Sequence, residues 1–294
     1  MVKWKSDMGL EARMFLTMFL LAVVYLAFIA FLFYLGVSQV LIILFMGAFI
    51  FLQYFYSDRL ILSSMGARIV SESEAPELHE IVTRLCAIAN LPKPKIAIVN
   101  TSMPNALATG RNQKNAVVAV TTGIMNQLNR SELEAVLAHE LTHVKNRDAM
   151  VMTIATFISS IAQLVVQWSP YLGGGYDRRD RDGGNIIVLL LVSIAVWITS
   201  FLLIRALSRY REFAADRGSA IITGRPSNLA SALMKISGFH VPTQDLRKVE
   251  GSASALFIVP AISGKSIMNL FSTHPPTEAR IAALQRMEQE MEAV

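Results

Sequence analysis

His139 and His143 stand four residues apart in His139-Glu140-Leu141-Thr142-His143, a spacing that carries chemistry if the segment is helical. On a helix, residues four apart project from one face about one turn apart, so both imidazoles can reach a single metal ion. Glu140 leans to one side of that face. From there its carboxylate can reach a water bound to the metal and take its proton.

The pattern is HExxH, which binds zinc in metalloproteases. One zinc ion is the cofactor it predicts, and two histidines do not complete such a site. Catalytic zinc has three protein ligands and one open position, so a third ligand must come from another element. Glu212 and Asp216 are four apart in a charged stretch after a long apolar run. By spacing either acid could bind. The preferred assignment makes Glu212 the ligand and lets Asp216 orient a histidine from behind. Asp148, five residues past His143, points off the metal face of a continuous helix and is predicted to pair with Lys145 or Arg147 or to make a buried hydrogen bond.

The elements that must hold these groups are legible in part. Pro76 opens a helix through Ala89 with Leu78, Ile81, Leu85 and Ile88 on one face, and Pro92 and Pro94 end it. Lys95–Asn100 alternates weakly as a strand, and Ala106–Thr109 and Ala116–Thr121 predict a hairpin around Gly110–Gln113. Ser131-Glu132-Leu133-Glu134 reads as a capping box starting the metal helix. No Gly or Pro lies between Ser131 and the next apolar run. An unbroken helix there would put His143 only about 10 Å from the first membrane residue.

Membrane insertion is the second strong signal. The chain of 294 residues is 53% hydrophobic and 17% charged, with a mean hydropathy of +0.45. No charge occurs between Arg13 and Asp58, from Ala149 to Tyr176, or from Gly183 to Ile204. About 20 apolar residues cross a bilayer as helix, so four spans are predicted near 14–35, 40–56, 149–168 and 186–204. Ser159, Ser160, Gln163 and Gln167 make the third the most polar, and are expected to face neighbouring helices. Lys and Arg cluster at the ends that face the candidate site, among them Lys3, Lys5, Arg13, Arg59, Arg205 and Arg209. That asymmetry puts both termini and the metal site in the cytoplasm.

The net charge of +5 fits basic flanks beside anionic lipid. No basic stripe with interleaved aromatics argues for nucleic acid. The single cysteine, Cys86, excludes an internal disulfide and is expected to pack in a helix. A transporter would need ionisable groups inside its spans, and there are none. A membrane scaffold with a purely structural metal is the other class, but it has no need of Glu140.

Taken together, His139–His143, the following Val144-Lys145-Asn146-Arg147-Asp148, Glu212 with Asp216, and Ser272-Thr273-His274-Pro275-Pro276 resemble the HtpX-type membrane zinc metalloproteases. These are relatives of the CAAX prenyl-protein endoprotease and of the mitochondrial stress protease. The resemblance covers nearly the whole chain. It implies a mainly α membrane protein, with four transmembrane helices and a gluzincin-like cytoplasmic metalloprotease domain carrying a small β-sheet. By that reading 1–57 holds two spans, 58–148 the first part of the protease domain, 149–204 two more spans joined by a Gly-rich charged loop at 169–185, and 205–294 the rest of the protease domain.

The same resemblance implies His139, His143 and Glu212 as zinc ligands and Glu140 as catalytic acid/base. His274 resembles a family histidine near the active site and is the candidate oxyanion donor, with helix capping or core packing as the alternative. Asn105-Ala106-Leu107-Ala108 resembles the family's edge strand, making Asn105 and Ala106 candidates for substrate binding; the alternative is an ordinary strand of a small sheet. The implied function is cleavage of misfolded membrane proteins in a stress response at the cell membrane. Peptides or membrane proteins would be substrates and other quality-control proteases candidate partners. Processing of specific membrane-associated peptides is the narrower alternative.

Overall fold

The computed structural model of the chain describes residues 7–35, 61–172, 182–237 and 274–293, with single positions between 40 and 60. It divides into two compact units, one comprising residues 1–7, 56–150 and 208–294, the other residues 8–55 and 151–207.

The second unit is built from long apolar helices. Helix α1 runs Met8–Tyr34, and its buried stripe of Leu21, Tyr25, Phe28 and Leu32 packs with Ala155, Phe157, Ala162 and Leu207. The Tyr25 hydroxyl donates to the Ala155 carbonyl. The outward positions are equally apolar. Phe15 is 74% exposed and Leu26 68%, a surface suited to lipid and costly in water. Three of the described helices are long and apolar enough to cross a membrane, at Met8–Tyr34, Asp148–Gln167 and Ile187–Thr223. Most of the predicted span at 40–56, and residues 173–181 of the predicted loop, lie outside the described residues. Of the polar residues in the third span, Ser159 is buried, whereas Gln163 and Gln167 lie on the exposed face, contrary to expectation.

The first unit carries the sheet. Strands β1 (Arg68–Ile69), β2 (Lys95–Val99), β3 (Ala106–Thr109) and β4 (Val117–Thr121) lie in the order β1-β2-β4-β3. β2 and β4 are parallel, while β3 runs antiparallel to β4 with Ala106 opposite Val120 and Thr109 opposite Val117. One face of the sheet, with Ile96, Val118 and Val120, covers the main core. Ala97, Val99, Leu107 and Ala119 on the other face meet Ile61, Leu62 and Met65. The β3–β4 hairpin is as predicted, closed by a 3-10 turn at Gln113–Asn115.

Helix α2 (Pro76–Ala89) has Pro at its first turn and ends at Asn90 in the left-handed conformation. Its buried face is Leu78, Ile81, Val82, Leu85, Cys86 and Ala89. Ile88, predicted for that face, is 58% exposed, because a 3.6-residue period carries Ala89 and Cys86 inward ahead of it. After the short α3 (Thr122–Gln127) comes α4 (Arg130–Asn146), which holds the HExxH pattern.

Two expectations about α4 need correction. Its cap is Asn129, two residues earlier than the Ser131 predicted. The Asn129 side chain accepts from the Glu132 N–H at 3.0 Å and Glu132 accepts from the Asn129 N–H at 2.9 Å, a full capping box. Nor does α4 run on into the apolar segment. Arg147 takes φ 56°, ψ 40° as its C-cap, its N–H reaching the carbonyls of His143 and Val144, and α5 (Asp148–Leu172) starts afresh. Absence of Gly and Pro does not guarantee continuity: a left-handed residue is costly but accessible, and rise-per-residue counting stops there.

Helix α6 (Asp182–Thr223) is a single 42-residue helix, on the order of 60 Å long and about twice the hydrocarbon thickness. Helical backbone therefore continues from the apolar segment up to Ile204 into the charged stretch bearing Glu212. Helices α7 (Pro226–Ser237) and α8 (Thr277–Glu292) complete the described unit and pack on each other. α6 lies hard against α4. The Ser219 hydroxyl donates to the Ala135 carbonyl at 2.6 Å, and a Cβ on Gly218 would stand 2.3 Å from Cγ2 of Thr142. Only a residue without a side chain permits that approach.

Candidate metal centre

That close crossing brings the two helices' polar faces together. Nε2 of His139 and Nε2 of His143 lie 3.1 Å apart, their rings edge-on at 88°. Glu212 arrives from α6 with Oε1 3.5 Å from His143 Nε2 and Oε2 3.6 Å from His139 Nε2. One ligand atom from each of the three residues lies within 4.8 Å of the others. Ligands on a tetrahedral zinc with bonds of 2.0–2.1 Å sit about 3.3 Å apart, so this triangle has the size the ion needs. The donor set is also apt: two imidazoles turned toward each other in a buried site need a cation or a shared proton between them.

Each imidazole is held from behind. His139 Nδ1 lies 2.9 Å from Asp216 Oδ1, and His143 Nδ1 lies 2.5 Å from Asp148 Oδ2. Each aspartate meets an arginine in turn. Arg280 grips Asp216 with Nε at 2.8 Å and a terminal nitrogen at 2.6 Å, and its other terminal nitrogen lies 3.2 Å from Glu212. Arg211 reaches Asp148 at 2.5 Å. His274 Nδ1 sits 3.0 Å from Glu212 Oε2. Buried carboxylates are tolerable only with such partners.

Electrostatics separates the two histidines. Burial opposes a charge on His139, but hydrogen bonds to Asp216 and Glu212 outweigh it and raise its pKa to about 9. Burial, reinforced by the neighbouring His139, lowers His143 to about 4. Burial raises the Glu140 carboxyl above its ordinary value, with His143 and His139 pulling the other way. The Ala108 N–H donates to Glu140. This contact explains how the strand and the metal helix share one site. The Thr121 N–H donates to the Asn105 carbonyl at 2.9 Å, so by antiparallel alternation Leu107 and Thr109 face β4 while Ala106 and Ala108 turn their main-chain groups to the open side.

Of the residues singled out in the sequence, His139, Glu140, His143, Glu212, Asp216 and His274 converge. Ala106 lies on β3, whose other edge has no partner among the described strands. Asn105 is buried at its start, its N–H bonded to Thr121 Oγ1 at 2.8 Å. Helix capping does not explain His274, since α8 begins after Pro276 without a side-chain cap. Of the other histidines, His79 contacts the Val70 carbonyl at 3.1 Å and His240 lies outside the described residues. Asp148 makes the buried hydrogen bond that was one of its two expected roles, but its partners are His143 and Arg211, and the expectation that it points off the metal face fails because the break at Arg147 redirects it. Arg211 and Arg280 were overlooked. Charge arithmetic is the signal for them, since the buried acids Glu140, Asp148, Glu212 and Asp216 demand buried cations, and Arg211 adjoins Glu212 in sequence.

Two histidines of an HExxH helix joined by a glutamate from a distant helix form a ligand set that zinc metallopeptidases use. The profile of Peptidase family M48 matches residues 72–288. Protease HtpX homolog 2 of Methanosarcina mazei is 65% identical over 291 residues, covering 98% of this chain and 99% of that one. Protease HtpX homolog of Moorella thermoacetica is 60% identical over 293 residues, covering 98% and 97%. The crystal structure of S. mikatae Ste24p superposes with a TM-score of 0.52 at 15% identity, covering 90% of this chain and 62% of that one, a likeness of fold. The chain belongs to peptidase family M48, among its HtpX-type members. It is a metalloprotease, and the family is zinc-dependent in general.

Proposed function

We propose that this protein is a zinc-dependent endopeptidase of the cell membrane that hydrolyses misfolded or damaged membrane proteins at the cytoplasmic side. The observation that carries it is the meeting of His139 Nε2, His143 Nε2 and the Glu212 carboxylate beside a buried Glu140 that receives an N–H from an edge strand.

His139, His143 and Glu212 would hold one zinc ion, which supplies Lewis-acid polarisation of the scissile carbonyl and brings a water's pKa toward neutrality. Glu140 takes the proton of the attacking water at its carboxylate and returns it to the leaving nitrogen. Asp216 holds His139 with Nε2 facing the ion. His274, whose Nδ1 faces Glu212, would offer Nε2–H to the developing oxyanion. The outward groups of Ala106 and the outward carbonyl of Ala108 pair with substrate backbone, with Asn105 at the strand's start. Such pairing reads main chain more than side chains and so accepts many sequences, as disposal of damaged proteins requires.

The test uses the full chain in detergent, loaded with zinc. Glu140→Gln keeps the metal and loses cleavage of an unfolded protein by at least ~10²-fold. Undiminished cleavage by that variant would overturn the reading. Cleavage-site profiling on unfolded membrane and soluble proteins addresses the substrate: one narrow sequence class would favour dedicated processing.

A further inference from the structure

We infer that Asp148 and Arg211 form a positioning pair for His143, fixing that ring's orientation through Nδ1 so that Nε2 is presented to the metal. The inference rests on the proposed zinc site and goes beyond its ligand set.

In a continuous helix Asp148 would lie roughly 140° around from His143. The left-handed Arg147, an unfavourable conformation for a residue with a β-carbon, swings it back, and Asp148 Oδ2 meets His143 Nδ1 at 2.5 Å. Arg211 then closes on Asp148 Oδ1 at 2.5 Å. Both side chains are buried, Arg211 at 3% and Asp148 at 7% exposure, and an aspartate and arginine withdrawn from water together are strongly interdependent. Arg211 directly precedes Glu212, so one turn of α6 supplies both the third ligand and the clamp behind the second. A carboxylate on Nδ1 selects the tautomer that donates there and leaves Nε2 as the lone-pair donor. The arrangement mirrors Arg280–Asp216–His139 on the other side, so both rings are held the same way by residues on different helices.

The experiment measures zinc affinity of the full chain in detergent by chelator competition, together with the visible spectrum of the cobalt-loaded protein. Asp148→Ala is expected to weaken zinc by about 10- to 100-fold and to alter the cobalt bands. Arg211→Met should weaken it less, and Arg211→Lys should restore most of the loss. Because Arg211 acts through Asp148, Asp148→Asn with Arg211→Met should bind zinc about as Asp148→Asn does alone. That double variant also removes both buried charges and so guards against misfolding of the single ones. Wild-type affinity and an unchanged cobalt spectrum in Asp148→Ala, with His143→Ala unable to bind, overturn this inference and leave the zinc site standing. Additive losses from the two substitutions overturn it as well, by placing Arg211's effect elsewhere. A wild-type protein that takes up no zinc, or His143→Ala binding as tightly as wild type, overturns the zinc site and this inference with it.

Discussion

Gly218 lies directly beneath Thr142, so close that a methyl group there would come within 2.3 Å of the threonine Cγ2 and 2.5 Å of its Oγ1. Thr142 is fully buried, its hydroxyl donating to the Ala138 carbonyl at 2.8 Å. It belongs to the HExxH pattern itself, so this contact sets how far Glu212 stands from the histidines.

Gly218→Ala is therefore expected to destabilise the protein by about 1–3 kcal/mol through overpacking and to reduce zinc retention. Adding Thr142→Ala should recover part of both losses, since it removes the two nearest atoms. Thermal unfolding and metal content of the purified protein check this. Equal stability of Gly218→Ala and wild type would show that the helices are not in contact there.

Arg280, 1% exposed, offsets two acids at once. Arg280→Met leaves Asp216 and Glu212 buried without their cation and should cost about 3–5 kcal/mol. Arg280→Lys keeps a charge but not the planar fork, so it should fall between the two. Unfolding midpoints and zinc stoichiometry rank the three proteins.

Glu132 ties the start of α4 to α7. It accepts from Ser231 and Lys235, both at 2.7 Å, besides closing the capping box. Burial raises its carboxyl, but Lys235, Ser231 and the Asn129 N–H outweigh that and carry it below the usual range. A folded pKa below the unfolded one contributes stability that is full above the unfolded value, about 4.3, and is lost as pH falls through the folded value. Glu132→Gln should cost about 1–3 kcal/mol at neutral pH and flatten the decline of stability below about pH 4.5. Parallel unfolding curves for both proteins from pH 7 to pH 3 would refute this.

Cys86 is buried, and burial pushes its thiol up to about 11, with Lys93 pulling weakly the other way. At pH 8 its alkylation by iodoacetamide should run about 10²-fold slower than in denatured protein, since the thiolate is the nucleophile. Comparable rates in the two states would place the thiol at the surface.

Much of the site could be read from local pattern. Histidines four apart on a helix must share a face, and Glu212 with Asp216 repeats that spacing on a second one. The hairpin announced itself by two apolar runs around Gly110–Gln113. What escaped reading depended on backbone dihedrals or on contacts distant along the chain. Ser131 and Asn129 are both good caps with an acid three residues on, and only the fold decides between them. Asp148 was misplaced because one left-handed residue, Arg147, changes the direction of everything after it.

The sequence by itself determined that apolar helices alternate with a polar metal-binding segment, because composition and periodicity are properties of neighbouring residues. It also determined which side chains could bind a metal. Only the tertiary structure decided how Arg211 and Arg280 back the aspartates, and how Ala108 reaches Glu140. Such pairings join residues far apart in the chain, and a buried charge takes whichever partner the packing of helices brings within reach.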